Sequence, residues 1–274
     1  MVEHYAGNVM MEQNMEDRPN YKEIARQARI NIIGLIHKAQ TSHVGSNLSA
    51  IDILSVLFEK ADLSKDKILF SKGWVAASAY YFLAQKGILN WEEVKAGYCD
   101  GKSRYIGLVE PMSREVECSQ CHGNPVMPIC VIKEHKDCNY MKSRSLYDAE
   151  WGHGIKICKK CETTGKIKQD IISFAGGSMG YGIAAGVGFA LAKKLKANNC
   201  ERCKRVLENE KPGSLYPSSH GGCPCECHGK VYVLASDGEM DCGTTWESAL
   251  IAAHHKLDNL VVIVDCNKFQ ATGR

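Results

Sequence analysis

The fold is decided by one stretch of the chain, residues 230–267, which reads KVYVLASDGEMDCGTTWESALIAAHHKLDNLVVIVDCN. Two apolar-rich segments within it, 230–235 and 260–265, predict strands buried in a parallel sheet. Residues 245–256 between them predict a helix, so the stretch forms a right-handed strand–helix–strand unit. We therefore predict an α/β fold with a mainly parallel sheet and helices on both faces.

Apolar spacing extends this prediction toward the N-terminus. Apolar residues recur at intervals of three and four from Tyr21 to about Gln40, which predicts a helix. Ser49 has the residue type of an N-cap, so we predict that a second helix begins there and runs to Phe58. Further segments predict a short strand at 67–70 and helices at 75–86, 91–97 and 183–195. The helix at 183–195 is rich in small residues, which predicts close packing against the sheet.

Polar residues stand where the two strands of the deciding stretch end. Asp237 follows the first strand and Asn267 follows the second. Ligands of open α/β sheets bind at the carboxyl ends of the strands, and carboxylate and amide oxygens suit Mg²⁺ together with phosphate. Gly238 allows close approach of the backbone to a phosphate, and the glycine-rich loop 176–182 before a helix offers N–H groups to an anion.

Together these motifs resemble the transketolase family of thiamine-diphosphate (ThDP) enzymes. Ser236-Asp237-Gly238-Glu239 followed by Asn267 is similar to the ThDP-binding motif of that family, G-D-G…N. Other stretches are similar to further family motifs, in the same order: Thr41-Ser42-His43-Val44-Gly45-Ser46 with Leu48-Ser49 and Asp52-Ile53-Leu54, Ser71-Lys72-Gly73, Gly177-Ser178-Met179-Gly180, Trp246-Glu247-Ser248-Ala249, and Leu257-Asp258-Asn259-Leu260.

The resemblance implies a cofactor, a metal ion and site residues. Asp237 and Asn267 would coordinate Mg²⁺ (or Ca²⁺) with the diphosphate, and the carbonyl group of Phe269 would complete the metal site. His43 would be catalytic, handling protons of substrate hydroxyl groups beside the thiazolium ring. The residues implied to bind the cofactor or lie beside it are Gly177, Ser178, Met179, Gly180, Gly238 and Glu239.

The chain also departs from the family pattern. Family members usually have histidine at the position of Trp74, G-H-P at 107–109 and glutamate at the position of Cys242. These departures favour a specialised transfer of a ketol unit, on an unusual or activated sugar or sugar derivative. Because the chain ends soon after Asn267, the resemblance implies a split enzyme. A separate transketolase-type subunit would carry the pyrimidine-binding domain, and the two chains would form a heterotetramer.

Fourteen cysteines are the unusual feature of the composition. Many lie in C-x-x-C pairs, which in a chain without a secretion signal favour metal thiolates over disulfides. We predict two zinc-ribbon-like insertions, at 112–168 and 198–229, each with one structural Zn²⁺. The predicted ligands are Cys118, Cys121, Cys158 and Cys161 in the first insertion and Cys200, Cys203, Cys225 and Cys227 in the second. Cys130, Cys138, Cys223, His220 and His228 are alternative ligands, and an iron–sulfur cluster or free thiols are alternative states.

Composition limits the class of protein to which the chain can belong. A 45% apolar and 24% charged chain is typical of a globular protein, and a net charge of +3 argues against a nucleic-acid partner. No stretch approaches the roughly 18 apolar residues of a membrane span, so a cytoplasmic location is the expectation. Residues 1–20 are expected to be a flexible tail before a diphosphate-binding domain at 21–274. Two alternative functions stay open: another ThDP reaction, of the deoxyxylulose-phosphate-synthase or decarboxylase kind, and a catalytically dead zinc-ribbon interaction module.

Overall fold

The computed structural model describes residues 19–117, 126–130, 153–157, 166–177, 179–199 and 228–270. The chain divides into two compact units, Met1–Pro111 with Ile172–Arg274 and, separately, Met112–Ile171. The predicted tail and most of the two predicted cysteine-rich insertions lie outside the described residues, so those domain boundaries stay predictions. Within the described residues, no helix is long and apolar enough to cross a membrane.

The described part of the chain contains both helices and strands. The helices are α1 (Tyr21–Ala39), α2 (Val44–Lys60), α3 (Ala76–Gln85), α4 (Trp91–Gly97), α5 (Tyr181–Asn199) and α6 (Gly243–His254). The strands are β1 (Lys67–Phe70), β2 (Met112–Glu117), β3 (Val126–Cys130), β4 (His153–Ile157), β5 (Lys166–Ile172), β6 (Val231–Ser236) and β7 (Leu260–Asp265). Short 3-10 turns occupy Gly73–Val75 and Asp237–Asp241.

The sheet of the larger unit is parallel, as the sequence predicts. Its strand order is β1-β6-β7, with β6 in the centre. Phe70 lies opposite Leu234, and Leu234 lies opposite Ile263, with both pairings parallel. The carboxyl ends of β6 and β7 therefore meet at one edge of the sheet, where Asp237 and Asn267 follow them.

Helix α5 packs closely on one face of this sheet. Val231, Val233 and Ala235 alternate along β6 and form a buried cluster with Ile183 and Val187 of α5. A Cβ atom at Gly186 would come within 2.5 Å of the Val233 side chain, so the approach of the helix depends on glycine. This confirms the prediction drawn from the small residues of the helix. Leu234, which points to the opposite face of β6, is also fully buried.

The start of α2 differs from the prediction. The helix begins at Val44, and the preceding residue, His43, has a left-handed backbone with φ 71°. Ser49 is therefore not an N-cap: it lies inside the helix, and its hydroxyl donates a hydrogen bond to the carboxylate of Asp265 at 2.7 Å. The hydrogen-bond partner of this hydroxyl is a carboxylate distant in sequence, and the local residue pattern that predicts helix starts does not reveal such a partner. In contrast, α1 begins at Tyr21 as predicted, because Asn20 caps it through the Glu23 N–H group.

The smaller unit, Met112–Ile171, contains short β-structure in its described residues. Strand β2 pairs with β5, and β3 runs antiparallel to β4 with Val126 opposite Ile157. The predicted zinc-ribbon character of this unit depends on cysteines that lie outside the described residues. It stays a prediction.

Candidate functional site

A cleft of about 590 Å³ opens where β6 and β7 end. Asp237, Gly238 and Asn267 line it, as the strand-end argument predicts. It is also lined by Gly177 and Met179 of the glycine-rich loop and by Phe269. The structure thus brings six of the residues proposed from the sequence to one place. Their roles in binding a cofactor or a metal ion stay predictions.

The two candidate metal ligands accept hydrogen bonds from backbone N–H groups that follow β6 and β7. One carboxylate oxygen of Asp237 accepts a hydrogen bond from Gly238 N at 3.0 Å, and the other accepts one from Lys268 N at 2.8 Å. The side-chain oxygen of Asn267 accepts a hydrogen bond from Phe269 N at 2.8 Å. Lys268 adopts a left-handed backbone, with φ 65°, where the segment turns back toward Asp237.

This donor set fits a hard divalent cation. A carboxylate has about four lone-pair positions, so the two hydrogen bonds to Asp237 leave acceptor capacity for a metal ion. A carboxylate, an amide oxygen and a backbone carbonyl are the oxygen ligands that Mg²⁺ takes, and phosphate oxygens and water usually fill its remaining positions. Asp237, Asn267 and the Phe269 carbonyl could therefore hold such an ion together with a diphosphate.

The glycine-rich loop leads from the end of the sheet into α5. Gly176 N donates a hydrogen bond to the Phe70 carbonyl at 2.8 Å, which places the start of the loop beside β1. Gly180 is buried and has φ 76°, a conformation that favours glycine. Ser178, a predicted cofactor contact, lies outside the described residues. The loop reaches the cleft through Gly177 and Met179.

Glu239 joins the loop to two strand ends. It is fully buried, and one carboxylate oxygen accepts hydrogen bonds from Gly180 N, at 2.9 Å, and from the Ser71 hydroxyl. The other oxygen accepts bonds from Ser236 N and the Ser236 hydroxyl, at 2.8 and 3.1 Å. A direct contact of Glu239 with a cofactor stays a prediction. The structure shows that its carboxylate braces the glycine loop against β1 and β6.

His43 lies beside the cleft in a stack with Trp74. The imidazole and indole ring centroids are 4.3 Å apart, and the ring planes are inclined by 29°. Trp74 lines the cleft. The Ser42 hydroxyl lies 3.1 Å from Nδ1 of His43. The proposed catalytic histidine thus sits next to the candidate cofactor site, with one face of its ring against an aromatic side chain.

A buried ion pair behind the cleft was not predicted. The ammonium group of Lys72 donates to the Asp265 carboxylate and also to the Ser49 hydroxyl, at 3.0 Å. The side chains of Lys72 and Asp265 are almost completely buried, and Lys72 also lines the cleft. The pair links the end of β1 to the end of β7. Lys72 belongs to the Ser71-Lys72-Gly73 motif, so the sequence did single out this residue. The motif does not indicate that Asp265 is the partner of Lys72.

The predicted zinc ligands cannot be placed in this structure. All eight cysteines lie outside the described residues, so both zinc sites stay predictions. Cys99, Cys242 and Cys266 are described and are free thiols. The described segments contain no group of three or more His, Cys, Asp or Glu side chains arranged to hold a metal ion.

Comparisons with known proteins bear on this geometry. The family profile described as "Transketolase, thiamine diphosphate binding domain" matches residues 220–274, the segment that contains β6, β7, Asp237 and Asn267. A transketolase family protein of Sinorhizobium fredii is 36% identical over 102 residues, which are 37% of this chain and 26% of the relative. One of the subunits of the apulose-4-phosphate transketolase of Phocaeicola vulgatus is 22% identical over 254 residues, 89% of this chain and 60% of the relative.

The chain is related to the transketolases. The resemblance drawn from the sequence motifs is thereby confirmed. A solved transketolase from Campylobacter jejuni shares the fold, with a TM-score of 0.55 and 24% identity over 92% of this chain and 29% of that protein. The transketolase-related chain thus spans only part of the length of these proteins. The matched share is 26% of the Sinorhizobium protein, 60% of the Phocaeicola protein and 29% of the Campylobacter protein.

Proposed function

We propose that this chain binds ThDP and Mg²⁺ in the cleft at the ends of β6 and β7, as the diphosphate-binding half of an enzyme that transfers a ketol unit between sugars or sugar derivatives. The observation that carries the proposal is the convergence of Asp237, Asn267 and Gly177 on one cleft. The matching family profile covers two of these three residues. ThDP enzymes that catalyse other reactions would have the same cofactor site. The cofactor site therefore does not distinguish ketol transfer from those reactions, and the residues that contact the substrate do.

The chain's own residues would do three things in this function. Asp237 and Asn267 would hold the metal ion, while Gly238 and the glycine loop would present backbone to the diphosphate. When bound, ThDP supplies the carbanion chemistry that ketol transfer needs. His43 would hold and move a proton at a substrate hydroxyl group, because an imidazole can exchange protons near neutral pH. Trp74 would exclude water from one face of that imidazole.

A second chain would complete the enzyme. The Phocaeicola relative carries the name of a subunit, which supports a two-chain assembly with a pyrimidine-binding partner, and we propose a heterotetramer. The same relative is named for a phosphorylated sugar. This supports sugar phosphates or similar derivatives as the substrate class for this chain. The cysteine-rich insertions, with Zn²⁺ as their proposed ligand, would serve structural stability.

Calorimetry on the full chain tests the cofactor site. We expect ThDP to bind in the presence of Mg²⁺ and not in the presence of EDTA. The substitution Asp237→Asn keeps the shape of the side chain but removes its charge, and we expect at least about a 100-fold loss of ThDP affinity because a metal ligand is lost. The matched control is Asp258→Asn, an exposed aspartate in the turn before β7. Equal ThDP affinity of the Asp237→Asn and wild-type proteins would remove the assignment.

A further inference from the structure

Asn47 uses its whole side chain to join three segments near the cleft. It is fully buried in α2. Its amide nitrogen donates hydrogen bonds to the carbonyl groups of His43, at 2.9 Å, and of Trp74, at 3.1 Å. Its amide oxygen accepts bonds from the backbone N–H and the hydroxyl of Ser78, at 2.9 and 3.0 Å. All of its donors and acceptors therefore have partners.

The two carbonyl groups that Asn47 holds belong to the two stacked rings. His43 and Trp74 are 31 positions apart in sequence, as 74 − 43 shows, and their rings meet at 4.3 Å. One amide group thus fixes the backbone of both partners of the stack. With the backbone fixed at both residues, the rings can change their relative position only by side-chain rotation.

The backbone of His43 needs such support. Its φ of 71° is uncommon for a residue with a side chain, and its side chain makes no capping hydrogen bond to α2. Conformations of this kind persist where surrounding contacts determine them, and they cluster at functional sites. The His43 carbonyl accepts two hydrogen bonds from Asn47, one from the amide side chain and one from the backbone N–H at 3.1 Å.

We infer that Asn47 is a positioning residue, which holds the His43–Trp74 stack and thereby fixes the imidazole beside the cleft. The inference rests on the proposed function for the role of His43 in proton transfer. In this arrangement Trp74 covers one face of the imidazole, and the two ring nitrogens, which lie in the ring plane, stay at its edge. The alternative is that Asn47 only ties α2 to α3 through Ser78, with no effect on the ring pair.

Nuclear magnetic resonance of the full chain, labelled at histidine, separates these two roles. The ring current of the indole changes the chemical shifts of protons stacked against it. The chemical shift of the His43 ring protons, called here the His43 signal, therefore reports the stack directly. His43→Gln identifies this signal by its loss, and Trp74→Leu gives its position without the stack. The measurement needs neither cofactor nor partner. Its result is therefore independent of whether ThDP binds in the calorimetric test.

The decisive variant is Asn47→Asp, which keeps an acceptor for Ser78 but removes both donors to the His43 and Trp74 carbonyls. We expect its His43 signal to move at least half of the way to the position found in Trp74→Leu. Asn47→Ser, smaller and uncharged, serves in its place if the aspartate variant does not fold. The control is Ser55→Ala, a buried hydrogen-bonded residue of the same helix. A folded Asn47 variant with the His43 signal at its wild-type position would overturn the inference.

Discussion

Two clefts of the same size, each about 590 Å³, lie in the larger unit, and they differ in what lines them. The cleft at the strand ends contains Asp237, Asn267 and Lys72, whose polar groups are fixed by backbone hydrogen bonds or a buried ion pair. The other, which we call the helix groove, is lined mainly by apolar side chains of α5, α6 and β7, such as Val187 and Ala249.

The comparison shows that volume alone does not mark a site. Binding sites combine apolar surface with a few polar groups that converge on the ligand. At the strand ends, parallel strands deliver such groups to one edge of the sheet. The helix groove lies along helix faces, and apolar side chains form most of its lining. Function should therefore respond to small changes in the strand-end cleft and tolerate them in the helix groove.

The largest expected effect is at the brace of the strand-end cleft. Glu239→Gln replaces one acceptor oxygen with an N–H₂ group that faces existing donors, so we expect a loss of about 3 kcal/mol in the free energy of unfolding. Urea unfolding measures it. The matched control, Glu247→Gln, changes an exposed glutamate of α6 and should stay within about 0.5 kcal/mol of wild type.

The same variant tests whether Glu239 contributes to cofactor binding. If the carboxylate acts through the glycine loop, folded Glu239→Gln protein should bind ThDP and Mg²⁺ about tenfold more weakly, because Gly180 N loses its acceptor. Calorimetry at low temperature, where the variant is folded, measures this. Unchanged stability would contradict the brace, whatever the ThDP affinity.

A buried tyrosine that does not line the strand-end cleft provides a middle-sized effect, which should be confined to stability. Tyr80 packs edge-on against Tyr98 and Tyr105, and its buried hydroxyl has no hydrogen-bond partner among the described residues. Burial raises the pKa of Tyr80 well above its usual value of 10.0. The folded state therefore keeps this proton where the unfolded state loses it, so its contribution to stability is complete below about pH 10 and falls as the pH rises further.

Tyr80→Phe should remove that alkaline loss. We expect the variant to be about 1 kcal/mol more stable than wild type at pH 8, because a buried unpaired hydroxyl is removed, with a wider difference at pH 11. Urea unfolding at both pH values checks this. Tyr181→Phe, at an exposed position of α5, is the control. If the Tyr80→Phe protein lost stability more steeply than wild type above pH 10, the predicted direction of the pH dependence would be wrong.

The smallest effect is expected in the helix groove. Ala249→Leu adds apolar volume at an exposed position of α6 that lines the groove, with only a small loss of helix propensity. We expect the free energy of unfolding to change by less than about 0.5 kcal/mol and ThDP affinity to stay at the wild-type value. The same calorimetry and urea unfolding serve as the measurement. Weakened ThDP binding in this variant would show that the two clefts are coupled and would break the comparison.

Local sequence patterns predicted much of the fold and part of the site. The strands β6 and β7, the parallel pairing and α1 follow from runs of apolar residues and from a cap. Asp237 and Asn267 could be placed at one cleft because parallel strands end at the same edge. The start of α2 was predicted wrongly, since Ser49 has the residue type of a cap but its partner, Asp265, is 216 positions away.

The sequence by itself determined the α/β class, the relation to transketolases and the identity of the residues at the two strand ends, because these depend on short-range periodicity and on motif order. Only the tertiary structure decided that Lys72 pairs with Asp265, that Glu239 braces the glycine loop, and that Asn47 holds both His43 and Trp74. These are hydrogen-bonded contacts between groups distant in sequence, apart from the bond of Asn47 to His43, which lies four positions away. A buried polar group takes whichever partner the packing brings within reach, and no local pattern specifies that partner.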